Sequence, residues 1–253
     1  MVLSRMARKA SRFLGNSVGP LASSMADYSP IELENTLQTL KLFTSPRACS
    51  TACHIALEES GLPYAVDIIK IREGQHQTDE FLRINPWGKI PTFLIDDEVL
   101  TEAHAILSYI GDTSDRGLLP QSNALARARA HEWMNFLTST VHIAFRPLFK
   151  PHYFVDDPAL YPNLHAIGIP NLRKTLLEVD RRLTGRIWAL GDGYSVVDAY
   201  LIVFWIWSQR DDIRPHVADM PAWNAHAERM FLREATWTCL RREGATPDNI
   251  SNP

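Results

Sequence analysis

The chain has 253 residues, 45% of them hydrophobic and 22% charged, with a formal net charge of −3. Such a composition describes an ordinary globular protein with ample chain for a buried core, and it offers no electrostatic footprint for nucleic acid. Three cysteines, Cys49, Cys53 and Cys239, are too few and too odd in number for a disulfide framework and fit a reducing compartment. No apolar run approaches the roughly 18 residues of a membrane span.

The first 26 residues contain no acid. Arg5, Arg8, Lys9 and Arg12 recur at helical spacing opposite Leu3, Met6, Ala10 and Phe13, and a Ser, Gly and Pro-rich stretch follows. Residues 1–38 are therefore expected to be an N-terminal extension outside the fold: an organelle transit peptide, a disordered tail, or an over-extended start with Met25 as the true beginning. From Leu40 the pattern alternates. Leu40–Phe43 is a predicted strand, Cys49–Ser60 a helix stopped by Gly61, and Tyr64–Lys70 a second strand, parallel to the first if the helix is a crossover. Asp79–Arg83 is a short helix, Thr92–Ile95 and Val99–Leu100 form a hairpin around Asp96-Asp97-Glu98, and Glu102–Asp112 is a helix. The order βαβαββα makes a small α/β domain of thioredoxin type over 39–113. Strand signals then stop. A linker over 114–122 leads to an all-α domain over 123–245, with helices near 124–149, 164–184, 195–209, 222–232 and 234–243, and a tail over 246–253. Ser195-Val-Val-Asp198 before an apolar run is a capping-box pattern with Asp in place of Glu or Gln.

Three places carry chemistry. Cys49 stands at the mouth of the first helix, where free backbone N–H groups, with Arg47 nearby, favour a thiolate. A buried structural cysteine is the plain alternative. Asn85-Pro86-Trp87-Gly88-Lys89-Ile90-Pro91-Thr92 runs directly into a strand, and Ile90-Pro91 is a candidate cis bond whose neighbouring backbone can pair with an extended peptide. The helix opening at Glu102-Ala103 offers N–H groups to a carboxylate, with Glu102 available for an ammonium group. Read alone, Glu102 only complements the helix dipole. Cys53 reads as packing one turn after Cys49, Cys239 as structural, and Trp188, Phe204, Trp205 and Trp207 as core and not a ligand platform.

Together these residues resemble the glutathione S-transferase family, closest to its beta class with the Pro-x-Ala-Cys-Ser start. The motifs are Pro46-x-x-Cys49-Ser50 with Ala48, Asn85-Pro86-x-Gly88-x-x-Pro91, Thr101-Glu102, and Ser195-x-x-Asp198-Ala-Tyr200, covering 40 to about 243. The resemblance implies that Cys49 contacts the glutathione sulfur and that Ile90, before Pro91, pairs with the tripeptide's cysteinyl unit. It implies that Glu102 and Ala103 hold the γ-glutamyl group, and that His142 faces Cys49 across the domain cleft. Asn135 lies about two turns before His142, on nearly the same face of a regular helix. Thr44 stands where many family members carry tyrosine, and Ile143 where the beta class often has lysine, which implies a less basic site. Lys70 and His76 are nearby candidates for the glycine carboxylate, and Phe145, Phe149 and Tyr153 for an aromatic pocket wall.

The implied function is conjugation of glutathione, as co-substrate and without a metal, to an electrophilic and largely apolar small molecule. A thiol-disulfide oxidoreductase and a non-catalytic glutathione-binding scaffold are the alternatives. The resemblance also implies a homodimer, working in the cytoplasm, or in mitochondria if the extension is a transit peptide.

Overall fold

The computed structural model describes residues 38–121 and 123–245. The expectations for the N-terminal extension, other than at Gln38, and for the 246–253 tail lie outside the described residues.

The α/β part runs β1 (Leu40–Thr44), α1 (Ser50–Ser60), β2 (Ala65–Ile68), α2 (Asp79–Ile84), β3 (Thr92–Ile95), β4 (Glu98–Thr101) and α3 (Ala103–Thr113). This is the βαβαββα order read from the sequence. The sheet order is β2-β1-β3-β4. Because α1 crosses over one face, β1 and β2 pair in parallel, Lys41 opposite Ala65 and Thr44 opposite Ile68. β3 runs antiparallel to both β1 and β4. β2 is shorter than the Tyr64–Lys70 run suggested. The chain leaves the sheet after Ile68 for two short 3₁₀ turns, Ile71–Glu73 and Gln75–Gln77, reversing at Gly74 with φ +77°.

Beyond α3 the regular elements among the described residues are helical, apart from a bridge between Trp188 and Gly191. They are α4 (Ala124–Phe136), α5 (His142–Phe149), α6 (Tyr161–Leu183), α7 (Val196–Ser208), α8 (Arg214–Val217), α9 (Pro221–Phe231) and α10 (Glu234–Arg242). None of the helices among the described residues is long and apolar enough to cross a membrane. α7 starts where the capping pattern placed it. Ser195 donates to Asp198 Oδ2 through its backbone N–H at 2.8 Å and its hydroxyl at 2.9 Å. Asp198 Oδ1 accepts from the Ala189 N–H at 2.8 Å and lies 2.9 Å from His226 Nε2.

α1 is enclosed along most of its length: Ser50 through Leu57 are all buried. It packs against β1 and α3 within the α/β part and against α7 and α10 of the helical part. Its hydroxyls and imidazole must therefore find partners inside the protein. It ends at Gly61, whose φ of +71° suits a glycine stop.

The stretch read as one helix over 124–149 is broken by a π turn at Leu137–Val141. Two hydroxyls bond back into the helix there, Thr138 Oγ1 to the Met134 carbonyl at 2.9 Å and Ser139 Oγ to the Asn135 carbonyl at 2.7 Å. Such bonds compete with the regular ladder. A π turn takes up one extra residue, about 100° of rotation against an α-helix. His142 and Asn135 consequently do not share the face that their seven-residue separation predicts.

Candidate active site

Cys49 is the N-cap of α1, at the end of the turn that leaves β1. Arg47 in that turn has φ +56°, a left-handed conformation that a non-glycine residue holds only when its surroundings enforce it. They do so from both sides. The Arg47 N–H donates to Glu243 Oε2 at 3.1 Å, and its carbonyl accepts from Trp207 Nε1 at 2.7 Å. Glu243, just past α10, is fully buried and also accepts from Thr51 Oγ1 at 2.6 Å and lies 2.8 Å from His54 Nδ1. Thr44 Oγ1 sits 3.3 Å from the same carboxyl and 2.8 Å from Ser50 Oγ. Thr44 thus does not supply the hydroxyl that a tyrosine would offer to the site. It helps tie the turn down.

In front of Cys49 lies a cleft of about 440 Å³. It brings together Cys49, Ile90, Pro91, Glu102, Ala103 and His142. Cys49 Sγ is 3.6 Å from the Ile90 carbonyl oxygen, and the Ile90-Pro91 bond is cis. Asn85 holds that loop. Its Nδ2 donates to the Lys89 carbonyl at 3.0 Å and to Thr92 Oγ1 at 2.9 Å, while its Oδ1 accepts from the Trp87 N–H at 3.1 Å. Glu102 precedes α3 with φ +70° and ψ 119°, and its side chain makes no capping bond. The carboxyl is therefore not engaged by its own helix and stands exposed in the cleft.

The electrostatics differ from the sequence expectation. Burial pushes the Cys49 thiol up to about 11. The N–H groups of Cys49 and Ser50 do pull it down, as a helix start should, but Glu102 pushes the same way as burial and together they win. Cys49 is a neutral thiol at pH 7. Burial and the neighbouring Arg146 press His142 down to about 4, so its imidazole is neutral as well. That ring meets Trp207 and Phe204 edge-on, with centroids 5.0 and 6.0 Å away.

Among the cleft residues that escaped the sequence reading, two carry hydroxyls. Tyr200 is buried, and burial keeps its phenol protonated well past the ordinary range. Its hydroxyl lies 3.4 Å from Thr138 Oγ1; the Thr138 hydrogen is already given to the Met134 carbonyl, so the phenol O–H is the donor of this pair, at the wall of the cleft. The signal was a hydroxyl-bearing aromatic on the apolar face of α7, inside a motif already quoted. Thr138 belongs to the π turn and gave no signal.

Asn135 is the residue that the structure sets apart. Its Oδ1 lies 3.1 Å from His104 Nδ1, and His104 Nε2 lies 2.9 Å from His131 Nδ1, a cluster between α3 and α4. The extra residue of the π turn is the reason. Ile143 is exposed, yet the cleft keeps cations through Lys89 and Arg146. Lys70 lines a second cavity instead of this cleft. Phe145 is core, Tyr153 is exposed, and Phe149 lines the second cavity together with Trp207, which is therefore more than core. The Cys53 sulfur, buried, lies 3.9 Å from the Ala103 carbonyl, and Cys239 is buried.

Residues 38–112 match the family described as glutathione S-transferase, N-terminal domain. Over 206 residues the chain is 33% identical to a glutathione S-transferase of Xanthomonas campestris, spanning 81% of this chain and 99% of that protein. The chain belongs to the glutathione S-transferase family. Among solved structures, the transferase resembles a beta-class enzyme of Sphingomonas chungbukensis, at 33% identity and a TM-score of 0.69 over 81% of this chain and all of that one (100%). It resembles a sphingomonad glutathione S-transferase complexed with glutathione at 35% identity and a TM-score of 0.70, over 81% and 100% of the two chains. The transferase thus lies near the beta class. Among its described residues, no group of three or more His, Cys, Asp or Glu side chains is placed to hold a metal ion.

Proposed function

We propose that the transferase joins glutathione to an electrophilic small molecule, with Cys49 acting as a neutral thiol that hydrogen-bonds the glutathione sulfur. The observation that carries this reading is the cleft, which sets the Cys49 sulfur 3.6 Å from the Ile90 carbonyl and beside Ala103 and Tyr200, and burial there holds the thiol up at about 11. At pH 7 such a group is ionised in only about one molecule in ten thousand. It is a poor nucleophile and a ready S–H donor. Glutathione's own thiol then loses its proton to solvent, and its sulfur forms the bond to the electrophilic carbon. The leaving group departs with its electron pair, or, at an activated double bond, the neighbouring carbon takes up a proton. The Cys49 S–H, turned from the Ile90 carbonyl, stabilises the thiolate, the Tyr200 O–H turns from Thr138 to join it, and neutral His142 supplies a further N–H.

In this reading the Ile90 backbone pairs with the cysteinyl unit of the tripeptide. The N–H groups at the start of α3, including that of Ala103, take the γ-glutamyl carboxylate. Glu102 faces its ammonium group, and Lys89 and Arg146 attract the remaining negative charge. The working unit is a homodimer, as in the family it belongs to, which light scattering of the purified protein checks. Ultraviolet titration of thiolate absorbance in the glutathione complex tests the role of Cys49. Cys49→Ala should raise the pKa of the bound glutathione thiol by about one unit and lower kcat about tenfold, the worth of one hydrogen bond to a charged group. A mixed disulfide on Cys49 after incubation with glutathione disulfide, with no conjugation of any electrophile, would replace this reading by thiol-disulfide exchange.

A further inference from the structure

A second cavity, of about 460 Å³, lies along the turn residues Ser45 to Ala48, and the next residue, Cys49, lines the cleft. Its floor is apolar. Phe149, Ile206 and Trp207 line it, with the two ring centroids 5.2 Å apart. An apolar floor alone would suit an apolar guest, but the rim is charged. Arg47, Lys70, Arg72, Lys150 and Arg210 all line the cavity, against a single acid, Glu73. The chain as a whole carries a net charge of −3, so these cations are gathered here against the overall balance.

Some of that charge is already matched. Lys70 Nζ lies 3.1 Å from Glu73, and Arg210 pairs with Asp212 at 2.7 Å while its guanidinium covers the Phe149 ring at 4.4 Å. Arg72 and Lys150 are exposed and make no ion pair among the described residues. The crowding has a cost. Burial and the neighbouring Arg72 both press Arg47 below its ordinary value, with Glu243 offsetting part of the effect. Like charges held together around a half-enclosed apolar space oppose folding, and an anion seated among them removes the opposition. Aromatic faces beside guanidinium groups suit a flat guest bearing negative charge.

Building on the conjugation reading, we propose that this cavity binds an organic anion built on an aromatic ring, with the ring against Trp207 and Phe149 and the carboxylate or sulfonate toward Arg72 and Lys150. The second substrate is then an acidic aromatic electrophile, not the wholly apolar one that the family resemblance implies.

Two matched pairs of compounds test this in the full-length protein. Naphthoate and naphthamide, which differ in charge and do not react, are compared by calorimetry. A chloronitrobenzoate and its amide are compared as electrophiles in the presence of glutathione. Naphthoate should bind about tenfold more tightly than naphthamide, with a gap that shrinks as salt rises. The same preference should appear in kcat/KM for the chloronitrobenzoate. In an Arg72→Gln/Lys150→Gln variant, whose folding is checked by near-ultraviolet circular dichroism, both ratios should fall toward one. Equal affinity for the two naphthalene compounds, or a gap that survives in the double variant, overturns the proposal. If naphthoate binds as expected and neither chloro compound is conjugated, the anion site stands and the conjugation reading falls. If both chloro compounds are conjugated equally well, conjugation stands and the charge selection falls.

Discussion

Asp198 and Glu243 are both fully buried carboxyl groups, and each has a histidine ring within hydrogen-bond reach. Their partners tell them apart. Asp198 gathers Ala189, Ser195 and His226, all in the helical part, and closes the start of α7. Glu243 gathers Arg47, Thr51 and His54 from the α/β part, together with the hydroxyl of Thr44, and so holds the turn that carries Cys49. The same physics, a buried acceptor surrounded by donors, secures scaffold in one place and active-site geometry in the other. What decides the role is which backbone the donors belong to.

Substitutions at the two positions can break or sharpen this contrast. Asp198→Ala leaves two backbone N–H groups, a hydroxyl and an imidazole without their acceptor, and should lower unfolding free energy in urea by about 3–4 kcal/mol. Its glutathione affinity at low temperature, per folded molecule, should be nearly unchanged. Glu243→Gln keeps the shape and part of the bonding, so the expected stability loss is smaller, about 1–3 kcal/mol. The signature there is functional: kcat should fall about tenfold, since small misplacements at a site are costly. A Glu243→Gln enzyme of full activity would break the contrast.

The subtlest expected effect is in the titration of Cys49. Its folded value of about 11 lies above the ordinary thiol value, so the unfolded chain ionises first as pH rises. The stability that this thiol contributes is fully present below about pH 8.5 and is lost as pH climbs through 11. Alkylation by iodoacetamide should therefore be slow at pH 8 and rise with a midpoint near 11. Loosening the turn with Glu243→Gln should move that midpoint down toward the free-thiol value, whereas Asp198→Ala should leave it in place.

The contrast also separates what could be read from the sequence from what could not. Asp198 announces itself three residues after Ser195, because a capping box is local. Glu243 follows Arg241 and Arg242 and precedes Gly244, which reads as the solvated end of a helix, and its partners lie up to 199 residues away. The βαβαββα order was legible for the same local reason: strand periodicity, the Gly61 stop and the Asp96-Asp97 turn are short-range signals. The cleft members Ile90 and Glu102 were found through motifs, and His142 through the family resemblance. Their electrostatics were not, because burial is a sum over the whole fold. A helix start next to a cysteine predicts a lowered thiol, and the surrounding protein reverses the sign. Asn135 was misplaced because hydroxyl back-bonds from Thr138 and Ser139 break the helical count, and a serine or threonine gives no sign in advance of which carbonyl it will choose.

The hold of Glu243 on the Arg47 peptide also sets an order of events on the ribosome. At about 5–20 residues per second, Glu243 emerges roughly 10–40 s after the turn it will clamp. Through that interval the sheet can pair and α1 can form, but Cys49 has neither the enclosing wall nor the pinned backbone, so its thiol behaves as an ordinary one. A nascent chain stalled before residue 243 would thus present an alkylatable cysteine at neutral pH. A finished chain would not.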